Sequence, residues 1–180
     1  MTTLLIGEDL RRLFHAFEHT AFRLEVREGY YEKEQLRQFL AGEPVDLEYM
    51  RTWLELMPAL RAEGKRIERV RVVSQPHSDY SRYGLWLCQY NVAAGEDIRY
   101  LPRHRAPELP EHDFWLFDSS RLYIVRFDKT DELLGAEPVD DAATVVQHGY
   151  WRDAAWHYAV PYSQYVTKAA ERADEHPASA

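Results

Sequence analysis

Arg23 and Glu25 alternate with Phe22, Leu24 and Val26, and Arg69 and Arg71 alternate with Val70 and Val72. Successive side chains of a strand point to opposite faces, so each segment carries one polar and one apolar face. If the two strands are neighbours, their guanidiniums and the Glu25 carboxylate share one surface. Arginine offers a planar fork that suits carboxylate and phosphate. That surface would be an anion-recognition floor, with Glu25 orienting an arginine. The same pattern also describes ion pairs on a solvated sheet face, each worth little.

A second locus is the loop Ser74-Gln75-Pro76-His77-Ser78-Asp79, between a strand end and a helix start. Backbone N–H groups at a helix start favour an anion, and open sheets bind ligands at that edge. Tyr80 and Arg82 lie in the first helical turn, with Arg71 three residues before the loop. There is no glycine-rich phosphate loop, so cradling of the P-loop kind is not expected.

Other residues carry weaker chemistry. Glu96, Asp113 and Asp118 are carboxylates at element ends, suited to acid–base work, a divalent cation, or plain capping. His15 and His19 stand four apart, as in a two-histidine metal grip, but Ala16-Phe17-Glu18 between them breaks the His-Glu-x-x-His pattern. No third ligand is identifiable, and no metal or cofactor is expected. His148 and His157 read as partly exposed packing residues. Cys88, among Trp86, Leu87 and Tyr90, reads as a buried and inert thiol. Tyr80, Tyr83, Trp86 and Tyr90 recur at helical spacing, and Trp115 comes later. Such rings serve a core or a stacking surface.

The elements that must position these groups follow from periodicity. Leu10, Leu13, Phe14 and Phe17 mark a helix opening at Gly7-Glu8-Asp9. A strand runs from Thr20 towards Gly29, and a helix spans about 33–41. Asp46 is expected to cap a longer helix carrying Leu47, Met50, Trp53, Leu54 and Met57, with a kink or restart at Pro58. Residues 66–73 read as a strand, with Val70 and Val72 inward. Ser78 or Asp79 caps a helix that stops at Gly95, and 97–101 is a short strand. These three elements make a βαβ crossover. A proline-bearing loop leads to a hairpin, 113–118 with 121–128, and a third strand over 132–137. Asp140 or Asp141 caps a long helix, interrupted at Pro161 and resumed to about Arg172. The expected fold class is α+β: a mixed β-sheet with one βαβ crossover followed by a β-meander, helices at both ends. Residues 1–173 are expected to be a single domain and 174–180 a flexible tail.

At 180 residues, of which 46% are hydrophobic and 13% aromatic, the chain can bury a substantial core. A single cysteine excludes an internal disulfide framework. Leu4-Leu5-Ile6 is too short for a signal peptide or a membrane span, so a cytoplasmic location without membrane contact is expected. The net charge of −8 argues against direct nucleic-acid binding. Residues 65–105 nevertheless hold eight bases against four acids, and seven of those bases are arginines, Arg99 among them. Residues 106–180 hold fourteen acids against six bases.

The stretches His19-Thr20-Ala21-Phe22-Arg23-Leu24-Glu25 and Arg69-Val70-Arg71-Val72-Val73-Ser74, with Pro76 and Asp79-Tyr80, resemble an actinobacterial family known as domain of unknown function six-eight-seven-nine. Gly95-Glu96-Asp97-Ile98-Arg99 and Asp113-Phe114-Trp115-Leu116-Phe117-Asp118 are similar to it too. The similarity covers about residues 10 to 160. It implies a stand-alone bacterial cytoplasmic protein whose gene often lies near helix-turn-helix transcriptional regulators, and it implies no activity.

Two functions are expected from these residues. The first is a non-catalytic binding or regulatory module for an anionic ligand or an acidic partner segment, working with a helix-turn-helix regulator. Its candidate ligand-binding residues are Arg23, Glu25, Arg71, Tyr80, Arg82, Glu96, Arg99 and Trp115. The alternative is an enzyme acting on a phosphorylated or nucleotide-like substrate. There Arg71 and Arg82 would hold phosphate, Tyr80 would position the substrate, and Glu25 or Glu96 would be the base.

Overall fold

A computed structural model describes residues 3–30 and 32–175, the last seven of these as backbone only. Helix α1 (Gly7–Ala16) has Glu8 and Asp9 in its first turn, where acids suit the helix dipole, and buries Leu13 and Phe14. Strand β1 (Thr20–Glu25) follows, then α2 (Lys33–Leu40). Asp46 does not cap the next helix. It accepts the Glu48 amide at 2.9 Å and closes a 3₁₀ turn, Glu48–Met50. Helix α3 (Arg51–Ala62) starts after that turn without a side-chain cap. It also runs through Pro58 without a restart. Pro58 is exposed, so the carbonyl its missing N–H leaves unbonded can be hydrated.

Strand β2 (Arg66–Val73) has the expected bounds. Helix α4 (Asp79–Ala94) is capped by Ser78, whose side chain accepts the Ser81 amide, and ends at Gly95 in the left-handed region (φ 118°). Strand β3 (Asp97–Pro102) completes the βαβ unit. Strands β4 (Phe114–Phe117), β5 (Arg121–Phe127) and β6 (Leu133–Val139) form the meander. Helix α5 (Ala142–Tyr158) is capped by Asp141. The interruption at Pro161 is a two-residue strand, β7 (Val160–Pro161), before α6 (Tyr162–Glu175). Of the expected tail, 176–180 lie outside the described residues.

The seven strands form one sheet in the order β6-β5-β4-β1-β2-β3-β7. The central pairs β1–β2 and β2–β3 are parallel, and the rest are antiparallel. The chain is therefore α+β with a mixed sheet, crossovers first and meander after. β1 and β2 are also joined by a crossover, through α2 and α3. Among the described residues no helix is long and apolar enough to cross a membrane.

One face of the sheet is dry. Phe22, Leu24, Val70, Val72, Phe114 and Leu116 meet Ala155 of α5 and Ala159, the residue that follows the helix, in one buried cluster. On the other face, Phe14 of α1, Phe17 just after it, and Met57 and Leu60 of α3 pack on Ala21, Ile67, Trp115 and Phe117. Further along that face Cys88 of α4 and Tyr165 of α6 cover Val73, Ile98 and Tyr100. The polar residues of β1 and β2 lie between these two clusters.

Candidate ligand-binding cavity

Register places the polar residues side by side. Arg23 stands opposite Arg69 on one side and Trp115 on the other, and Glu25 stands opposite Arg71. This face is not solvated: Arg23 is 6% exposed and Glu25 5%. The helices bury it, so its charges must be paired.

The pairing is a chain of carboxylates and guanidiniums. Glu25 accepts from Arg69 Nη1 at 2.6 Å and Arg71 Nε at 2.5 Å, and lies 3.6 Å from Arg23 Nε. Arg23 Nη2 reaches Asp113 at 3.0 Å, and Asp113 also accepts the Val26 amide at 2.8 Å and the Tyr30 hydroxyl at 2.6 Å. At the other end Arg69 Nε donates to Glu96 at 2.5 Å. Glu96 is completed by Trp53 Nε1 at 3.0 Å and Asn91 Nδ2 at 2.9 Å. Burial alone would raise the Glu25 carboxyl, but Arg69, Arg71 and Arg23 outweigh it and hold it far below the ordinary carboxylate range. Burial works against the charged forms of Arg69 and Arg71 as well, and Glu25 more than restores them.

Above this network is a cavity of about 570 Å³. Its floor includes Arg23, Glu25, Arg69 and Arg71, and its walls include Tyr30, Trp53, Tyr80, Trp115 and Phe127. Trp115 lies under both Arg23 and Arg69, with guanidinium carbons 5.4 and 5.9 Å from its ring centroid. Tyr30 packs on Tyr80 and Phe127 at centroid distances of 5.8 and 5.3 Å. Arg69 and Arg71 spend Nε and Nη1 on their partners, while Nη2 of each donates no hydrogen bond to a described residue. Gly84 of α4 makes room for Arg71: a Cβ there would sit 2.6 Å from its Nη1.

Two further groups shape the cavity. Glu32 lines it and accepts the Tyr80 hydroxyl at 3.2 Å. Burial raises its carboxyl, and Arg71 offsets part of that rise. Cys88 also lines it, beside Arg71 Nη1 at 3.6 Å. Burial pushes its thiol up, which leaves it a weak nucleophile.

The expected site residues divide. Arg23, Glu25, Arg71, Tyr80 and Trp115 come together around the cavity. Glu96 stands behind it as a partner of Arg69. Arg82 is exposed and pairs with Asp79 at 3.2 Å, away from the cavity. Arg99 lies on the α5 face, its guanidinium 3.7 Å from the Trp156 ring centroid. Asp113 and Glu96 close opposite ends of the arginine chain, whereas Asp118 accepts the amides of Glu18, His19 and Thr20. Burial alone would raise the Asp118 carboxyl, but these amides and Arg121 bring it down to about 2.

His15 and His19 do not share a helix face, because α1 ends at Ala16. His148 is buried rather than partly exposed, 2.9 Å from His112. The site residues that sequence reasoning left out are Tyr30, Glu32 and Trp53. Arg69 was marked only by sharing alternate positions with Arg71.

No curated protein matches the chain. Residues 8–167 match the family model described as Domain of unknown function (DUF6879), and the chain belongs to that family.

Proposed function

We propose that the domain is a non-catalytic binding module that takes a small anionic ligand into the cavity. One observation carries this reading: two partly buried guanidiniums on the cavity floor each keep an Nη2 with no acceptor among the described residues. The cavity's size is that of small-molecule sites, and aromatic walls with a few convergent polar groups are their usual lining. The alternative, an enzyme on a phosphorylated or nucleotide-like substrate, has less support. Glu25 and Glu96 spend their oxygens on buried donors and are poorly placed to take a proton. Arg82 is turned away from Arg71's cavity, so the expected phosphate pair is not assembled.

The test is a thermal-shift series with inorganic phosphate, simple carboxylates, nucleotides and acidic peptides. A ligand at a hundred times its dissociation constant adds about 2.7 kcal/mol of stability. Arg71→Ala abolishes that gain and Arg71→Lys restores part of it, since an ammonium lacks the fork. No stabilisation by any anion, or the same stabilisation in Arg71→Ala, overturns the reading.

The regulatory half of the proposal rests on the resemblance to an actinobacterial family whose genes neighbour helix-turn-helix regulators. The acidic segment 106–180 suits a basic DNA-binding domain, and such attraction weakens with salt. A pull-down at moderate salt with the neighbouring regulator tests it. No capture, together with unchanged DNA affinity of the regulator, sinks it.

A further inference from the structure

We propose that the ligand is a zwitterion of the amino-acid class, its carboxylate held by Arg69 and Arg71 and its cationic nitrogen by Glu32. This inference rests on the binding reading above and names the ligand's chemistry.

The first argument is charge balance. Arg23, Arg69 and Arg71 line the cavity together with Glu25, Glu32, Asp131 and Glu132, while Glu96 and Asp113 stand directly behind and Arg27 pairs with Asp131. A phosphate dianion or a nucleotide would add several negative charges where cations are already outnumbered. A single carboxylate can use the two idle Nη2 groups at much smaller cost.

The second argument is Glu32. It faces the cavity, and Tyr80 is the one described residue that donates a hydrogen bond to its carboxylate. It has no ion-pair partner among the described residues, unlike Glu25, Glu96 and Asp113. A half-buried carboxylate with one neutral donor gains from a cation in contact with it, since Arg71 offsets only part of the rise that burial imposes. Tyr80, its hydrogen-bond donor, and Tyr30, packed on Tyr80, add aromatic rings where an ammonium would sit. The rings of Trp53 and Phe127 leave an apolar wall for the remainder of the molecule.

Isothermal titration of the full chain with the twenty amino acids, followed by matched analogues of the best one, tests this. For phenylalanine the analogues are 3-phenylpropionate, which lacks the nitrogen, and phenethylamine, which lacks the carboxylate. The zwitterion is expected to bind at least tenfold tighter than either. Glu32→Gln is expected to bring the zwitterion-to-carboxylate affinity ratio close to one, and Arg71→Ala to weaken both. The wild-type comparison stands even if a variant fails to fold. A carboxylate that binds as tightly as its amino acid overturns the zwitterion and leaves the anion site in place. Tighter binding of a nucleotide or phosphate also overturns it. No binding by any compound overturns both readings.

Discussion

The two faces of the sheet are built from the same strands and behave oppositely. On the α5 face, Phe22, Leu24, Val70 and Val72 meet two small residues, Ala155 and Ala159, which let helix and sheet approach closely. On the other face, Arg23, Glu25, Arg69 and Arg71 lie one position out of step with those apolar residues. There the helices bring large rings, such as Phe14, Trp53 and Tyr83, and a cavity remains. One face supplies cohesion through apolar burial. The other spends cohesion on a network of ions whose desolvation is costly and whose worth lies in fixed geometry. A period of two thus assigns stability and ligand chemistry to alternate residues of one strand.

The sharpest break of the contrast is Val70→Asp. Val70 is 0% exposed in the dry cluster, and an aspartate there sets a charge among apolar side chains, with Arg99 of β3 as its neighbouring cation. A loss above about 4 kcal/mol is expected, enough to unfold most small domains. Circular dichroism with urea titration would show it. A folded variant would mean that the α5 face opens more easily than its burial implies.

Next in size is Glu25→Ala on the polar face. It leaves three guanidiniums without their shared carboxylate, and removing one partner of a buried pair costs about 3–5 kcal/mol. Two partners remain at the ends of the chain, Asp113 and Glu96, so the loss should fall below that of Val70→Asp. Denaturation midpoints of the two variants give the order. The reverse order would make the polar network, not the dry cluster, the main source of cohesion.

A smaller effect is written into the pH dependence of the dry side's rim. His148 Nδ1 faces the Thr144 carbonyl at 2.8 Å, so Nδ1 carries a proton. Its Nε2 therefore accepts from His112 Nε2, 2.9 Å away. Burial lowers both imidazoles below the ordinary 6.5, and for His112 the neighbouring His148 and Arg126 lower it further while Asp113 opposes them. A histidine depressed in the fold takes up its proton first in the unfolded chain. Its stability contribution is complete above about pH 6.5 and is lost as pH falls through the folded values. Urea midpoints should drop between pH 7.5 and 5.5, and His112→Gln should flatten that slope. Glu32, a carboxyl raised in the fold, has the opposite sign: its contribution is present below about 4.5 and lost as pH rises. Glu68, which burial also raises, acts in the same sense, and a midpoint that rises on acidification would show these carboxyls outweighing the histidines.

What was legible in the sequence follows the same division. β2 has its expected bounds because Ile67, Val70, Val72 and Val73 are β-branched and Arg69 and Arg71 alternate with Val70 and Val72, and α4 because Ser78 and Gly95 supply both caps. Alternation also says that Arg69 and Arg71 share a face. It does not say what covers that face, because cover comes from helices distant in the chain. Tyr30 and Glu32 lie in an aperiodic link, where spacing carries no signal. Trp53 looked like a core stripe, which it partly is. Arg82 and Arg99 share the basic stretch 65–105 with Arg71, but a helix turn and a strand alternation send them elsewhere. β7 spans two residues, too few for any period to show.

The smallest expected effect on stability is at Gly84, and there the two faces can be separated most cleanly. Gly84 is buried inside α4, where glycine costs roughly 1 kcal/mol relative to alanine. Gly84→Ala would recover that amount if the space were free. The new Cβ would stand 2.6 Å from Arg71 Nη1, 3.5 Å from its Cζ and 4.0 Å from its Nη2. The clash is with the far end of a flexible side chain, so the backbone need not move and the dry face is untouched. Stability should change by less than about 1 kcal/mol in either direction. The Arg71 guanidinium, however, must shift within the cavity, loosening its 2.5 Å bond to Glu25 and moving the idle Nη2. Ligand affinity should therefore fall several-fold while the urea midpoint barely moves. Equal affinity in Gly84→Ala would mean that Arg71 does not touch the ligand. A large loss of stability would mean that Arg71 holds the fold rather than the ligand, and the polar face would then differ from the dry one only in its chemistry.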